Sequence, residues 1–293
     1  MKKFLALILV LSLSLCCLVA CGKKDHKLVV VVDSAVNDSN KVTNTALALV
    51  INGKGEIVAA RFDSAEVTPS LNEGAVVAVD SVETKVEKGD SYTGMPAGSW
   101  EKQTKAFEDA IIGLTADEVA NLDTATIAGC TMKSTVPTFK ALVAKAFASN
   151  LAVSFSAKAK NITLGLAIGT KVSASKTGGA SVASDVAATV VVDGKVVACQ
   201  LDSVEQSFAL TDGALVKGTL AVSKNEQGDS YAMPSGSWAK QAQAFANSAV
   251  GKTADELKDL ETVSDALKAA GCTMQNTTAG YKATIIKAVG YAK

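Results

Sequence analysis

One polar stretch of the chain occurs twice and carries groups able to do chemistry: Lys85, Glu87, Asp90, Tyr92 and Met95, then Lys224, Glu226, Asp229, Tyr231 and Met233. An ammonium, two carboxylates, a phenol and a thioether around Gly89 or Gly228 could form a pocket or contact surface, and binding residues concentrate on loops held by a rigid scaffold. The same residues also suit a structural role, with Asp capping a turn, Tyr and Met filling a gap beneath a helix, and Gly taking positive φ. Asp63 and Asp202 form a second repeated acid, at the end of a hairpin strand. No histidine or lysine is placed by an evident motif to tune these acids, so acid–base catalysis is not indicated. No stretch has the alternating acidic spacing of a calcium loop, and no metal site is expected.

The chain has one histidine, His26, read as a solvated residue of an N-terminal tether. A single histidine excludes a His-based zinc site, a Ser-His-Asp triad and a Cys-His dyad. Lys plus Arg and Asp plus Glu balance at 29 each, so no strong field attracts nucleic acid. Cys130 and Cys272 match one another between the repeats, whereas Cys199 is matched by Ala60 and falls on the apolar face of its strand, as a small core residue does. A Cys130–Cys272 disulfide would need matching positions of two tandem units to meet, and is not expected.

Lys2 and Lys3 precede an apolar run over residues 4–20, the charged and hydrophobic regions of a secretory signal. Leu18, Val19, Ala20 and Cys21 resemble the lipobox of bacterial lipoproteins. That resemblance implies cleavage before Cys21 and its acylation, and two or more acyl chains hold a protein stably on a membrane. The expected location is therefore the extracytoplasmic face of a membrane, with residues 1–20 as signal peptide and 21–27 as tether.

The elements that must position the repeated residues are also doubled. Residues 89–100 return as 228–238, one residue shorter, and self-similarity at long period marks a tandem duplication. The reading is an α+β chain of two tandem similar domains, 28–149 and 162–293, with 150–161 as a connection of some strand character. Each domain is an antiparallel sheet with three helices packed on one face, complete enough to fold by itself. Each opens with an apolar strand, 28–32 or 162–168, then a polar loop, 34–45 or 171–185. Hairpins turn at residues 53–55 and at Asp193–Gly194, and further strand pairs occupy 75–86 and 214–222. The period then changes to 3.6: Trp100, Phe107 and Ile111 share one helical face, as do Trp238, Phe245 and Ala249, with Gln103 and Gln241 beside them. Capping boxes at Thr115–Glu118 and Thr253–Glu256 start second helices, and third helices close the repeats over 138–147 and 281–291.

Asp193, Gly194, Lys195 and Val196, with Ala270, Gly271, Cys272 and Thr273 ahead of the last helix, resemble the FMN-binding domain of bacterial envelope proteins; Gly53–Glu56 and Ala128–Thr131 are the first-repeat counterparts. Ala and Cys stand here where that family's motif has Ser and Ala. The resemblance implies FMN as cofactor, carried on Thr131 or Thr273 by a phosphoester bond. The reading preferred from the residues is a lipid-anchored binding or interaction protein that does not catalyse, its partner an unidentified small molecule or envelope component. The alternatives are a flavin-carrying redox lipoprotein and an envelope structural or adhesive protein.

Overall fold

The computed structural model describes residues 24–92, 95–176 and 178–292. The signal segment and Cys21 lie outside the described residues. The chain is α+β, with antiparallel sheets and helices outside them.

Two strand segments are apolar on both faces: Leu28 to Val32 and Ala46 to Ile51 contain no polar residue. Such a run can be satisfied only by burial on both sides. Strands β1 (Lys24–Val36), β2 (Val42–Asn52) and β3 (Ile57–Val67) form the first sheet, in the order β3-β2-β1-β7. Two short pairs follow β3: β4 (Leu71–Asn72) with β5 (Ala75–Val76), and β6 (Val79–Val82) with a strand of the second sheet. Then come helices α1 (Lys85–Lys88), α2 (Trp100–Ile111), α3 (Ala116–Asn121) and α4 (Val136–Ala148), and strand β7 (Val153–Ala157). Strands β8 (Thr163–Ala174), β9 (Ala180–Val192), β10 (Lys195–Thr211) and β11 (Ala214–Lys217) build the second sheet, ordered β11-β10-β9-β8-β6. Helix α5 (Lys224–Gln227), the two-residue pair β12 (Ala232–Met233) and β13 (Gly236–Ser237), and helices α6 (Trp238–Asn247), α7 (Asp265–Ala269) and α8 (Thr278–Gly290) complete the fold.

The sheets face one another. Leu28, Val30, Val32, Ala46, Ala48 and Val50 of the first pack against Leu164, Leu166, Ile168, Val186, Ala188 and Val190 of the second in one shared apolar layer. The opposite faces carry helices: Val29, Val31, Leu47 and Leu49 meet Trp100, Phe107, Ile111 and Phe139. On the second sheet, Ala167, Ala187, Cys199 and Leu201 meet Trp238, Phe245, Tyr281 and Ile285. The result is a helix, sheet, sheet, helix stack. The apolar layer between the sheets belongs to both repeats, and β6 of the first repeat extends the second repeat's sheet.

Several sequence expectations are corrected. The polar stretches 34–45 and 171–185 are not loops: β1 and β2 pair as far as Val36 and Val42, and β8 and β9 as far as Ala174 and Ala180. Some of their polar groups meet in the interior: Asn44 donates to Ser184 at 2.7 Å, and Thr170, just ahead of the second stretch, lies 2.6 Å from the same hydroxyl. A tight turn remains at 37–41, where the Asn37 carboxamide accepts from the amides of Ser39 and Lys41. His26 is no solvated tether residue. It lies in β1, is 2 % exposed, packs its ring tilted against Phe155 and has Nε2 3.2 Å from the Ala157 carbonyl, because β7 pairs with β1 there. The strand pair expected over 75–86 is reduced to β5 and β6. Thr115 closes its capping box as expected; at Thr253 the same reciprocal bonds form, but the turn they open is a 3₁₀ helix over Glu256–Asp259. Cys130, Cys199 and Cys272 are buried free thiols.

Candidate functional site

The twice-occurring polar stretch does not converge on one pocket. Thr84 caps α1 with a capping box, the Glu87 carboxylate reaching back to the Thr84 amide at 2.8 Å. The other Glu87 oxygen takes Lys287 of α8 at 2.6 Å and the Tyr291 hydroxyl at 3.1 Å. Glu226 makes the corresponding reach in the other direction, to Lys145 of α4 at 2.6 Å. Each lysine also donates to a strand carbonyl, Lys145 to Val32 and Lys287 to Ile168, both at 3.1 Å. Glu87 and Glu226 therefore tie each repeat to the last helix of the other. Lys85 stacks over Tyr92 and Trp100 and bonds Glu66 at 2.8 Å, and Lys224 stacks over Tyr231 and Trp238. Asp90 and Asp229 are exposed and paired with Lys102 and Lys240, which hold both carboxyls below the usual range. Met95 and Met233 pack at the margins of the helix-side cores.

Thr131 and Thr273 share one arrangement. The amide and hydroxyl of each donate to one side-chain oxygen, of Gln103 at 2.8 and 2.9 Å and of Gln241 at 2.9 Å for both. Both glutamines are fully buried, on α2 and α6, so the Gly-Cys-Thr turn is fastened there.

The repeated acids Asp63 and Asp202 have a different setting. Each is buried on its strand, and each uses Oδ1 to accept two backbone amides: Ser64 and Val86, or Ser203 and Asn225. Burial pushes Asp63 up to about 6 and Asp202 up to about 7, against the pull of those amides. Each lines a cleft whose far wall comes from the other repeat.

The first cleft, about 260 Å³, is lined by Arg61, Asp63, Thr104, Glu108 and, from the second repeat, Leu166 and Tyr291. Glu108 is 5 % exposed; its oxygens accept from Arg61 at 2.9 Å and from the Phe62 amide at 2.7 Å. Burial raises Glu108 to about 7 despite the Arg61 charge. Thr104 Oγ1 is buried with no hydrogen-bond partner. A buried ion pair is costly to form and weak support for stability. The second repeat builds the same helix-on-sheet contact without it: Gln200 stands at the place of Arg61, Ala242 at that of Thr104 and Ala246 at that of Glu108. Folding therefore does not demand the first cleft's charged set. Comparing the repeats for agreement misses these residues; the positions where the repeats differ in charge or polarity reveal them.

Among the described residues, no group of three or more acidic, His or Cys side chains could hold a metal ion, and no helix is long and apolar enough to cross a membrane. The chain matches no known protein family, no curated protein and no solved structure.

Proposed function

We propose that the protein is a lipid-anchored extracytoplasmic binding protein, derived from one duplicated α+β unit, that takes a small polar solute in the cleft of Arg61, Thr104 and Glu108. The lipobox at Cys21 supports the location. The single observation that carries the binding reading is the buried Glu108 carboxylate, paired with the half-buried Arg61 beside the unpartnered Thr104 hydroxyl, in a place where the second repeat is content with Gln and Ala. The cleft is smaller than the roughly 300 to 1,000 Å³ of drug-sized pockets, so the solute has the size of a monosaccharide or amino acid. Asp63 and Glu108 orient their free lone pairs by accepting backbone amides, which suits a ligand rich in O–H or N–H donors.

The test is a thermal-shift panel of sugars and amino acids at millimolar concentration on the mature chain. The triple variant Arg61→Gln, Thr104→Ala, Glu108→Ala adopts the second repeat's residues and is expected to stay folded while losing the shift. No shift with any member, or a shift that survives the triple variant, overturns the site. A flavin band in the visible spectrum of the purified protein would favour the redox alternative. Cys21→Ala should release the protein from membranes or leave it unprocessed.

A further inference from the structure

The second cleft has its own chemistry and does not rest on the first. It measures about 340 Å³ and lies between the strand residues Val30 and Val31, the end of α4 with Lys145, Ala148 and Ser149, and the group Asp202, Ser223 and Glu226. Asp202 is 0 % exposed, and its Oδ2 has no hydrogen bond. Ser223 lies close enough to ease the charge without completing a well-formed bond to that oxygen, and its hydroxyl accepts from the Glu226 amide at 3.2 Å.

Lys145 is fully engaged. Its ammonium contacts Glu226 at 2.6 Å, Asp33 at 3.5 Å and the Val32 carbonyl at 3.1 Å, which occupies the three donors a lysine has. Three carboxylates thus surround one committed ammonium. An anionic ligand would find no free cation there and would add a fourth like charge. A divalent cation needs about six oxygen ligands, and only one buried carboxylate oxygen is open. The wall position filled in the first cleft by Tyr291, whose hydroxyl binds Glu87, is Ser149 in the second, which leaves room for a ligand. From this geometry we infer that the second cleft binds a small primary alkylammonium, its N–H donors on Asp202 Oδ2 and its carbon stem along Val30, Val31 and Ala148.

Isothermal titration of the full mature chain with propylamine tests this, with tetramethylammonium as a cation of similar size lacking N–H donors and calcium chloride as a metal control. One site per chain is expected for propylamine, at least tenfold tighter than for tetramethylammonium. Asp202→Asn should weaken propylamine at least tenfold. Ala148→Phe, an exposed rim substitution, should block the cleft equally and decides the matter if Asp202→Asn fails to fold. The triple variant of the first cleft should bind propylamine as the parent does. Absence of binding, equal affinity for tetramethylammonium, preference for calcium, or propylamine binding unchanged by Ala148→Phe each overturns the assignment.

Discussion

Trp238 donates its indole N–H to the Tyr281 hydroxyl at 2.9 Å, with the rings edge to face at 83°. Trp100 meets Phe139 in nearly the same geometry, 6.0 Å between centroids at 84°, but has no hydroxyl to receive its buried N–H. Phe139→Tyr should supply that acceptor and stabilise the protein by about 1 kcal/mol, whereas Tyr281→Phe should cost about 1 to 3 kcal/mol. Both are read as a shifted urea midpoint at unchanged slope. A destabilising Phe139→Tyr would show that Phe62, stacked on Phe139 at 4.2 Å, leaves the hydroxyl no room. The buried acids set the pH dependence. Asp63 at about 6 and Asp202 and Glu108 at about 7 lie above ordinary carboxyls, so between roughly pH 4 and 7 the folded chain holds more protons than the unfolded one. Stability should therefore fall, by on the order of a few kcal/mol, as pH rises from 5 to 8. Glu66 and Glu87 are lowered despite their burial by Lys85 and Lys287, and their contribution disappears only under more acidic conditions. Urea midpoints at pH 5 and 8 check the sign; a midpoint higher at pH 8 contradicts it. Glu108→Gln should flatten the slope.

At the scale of elements, the decisive contact is α8 on the second sheet. A Cβ on Gly165 would stand 1.9 Å from the Ala288 carbonyl oxygen, so β8 and α8 approach as closely as glycine alone permits. Gly165→Ala must push the helix off its seat on Ala167 and Ala187, and overpacking of this kind costs about 1 to 3 kcal/mol or more. A Gly165→Ala variant with the parental urea midpoint would mean that helix and sheet slide freely. The contact explains how α8 is aimed, because its final turn carries Lys287 to Glu87 and places Tyr291 in the first cleft. The first sheet reaches the same end with Val29 at the matching place and α4 delivering Lys145.

For the whole molecule, the shared apolar layer governs cooperativity. Separating the repeats would expose Leu28, Val30, Val32 and Val50 on one side and Leu164, Leu166, Ile168 and Val190 on the other. Fully burying such a side chain is worth about 1.5 to 3 kcal/mol, and domains are stable by only about 5 to 15 kcal/mol. A fragment of residues 24–161 and one of 162–292 should each melt broadly or aggregate, and mixing them should restore a sharp transition. A sharp, fully reversible melt of fragment 162–292 alone would show that the layer is dispensable. The clefts depend on the same assembly, since each takes a wall from either repeat.

The sequence by itself determined the local events. The Asp193–Gly194 hairpin turn, with both residues at positive φ, the Thr115 capping box and the apolar face of Trp100, Phe107 and Ile111 follow from neighbours a few positions apart. The double-faced apolar runs at Leu28 to Val32 and Ala46 to Ile51 already demanded cover on both sides. What would cover the second side was settled only by tertiary structure, because nothing local says that one repeat's sheet lies on the other's. The polar stretches 34–45 and 171–185 read as loops for the same reason: Asn44 and Ser184, 140 positions apart, are tolerable in strands only because they meet. The site follows the same logic. Glu87 and Glu226 stood out as repeated residues and serve as ties between the repeats, while Asp202 gained an open oxygen, and the buried Glu108 an arginine partner, from packing that brings distant segments together.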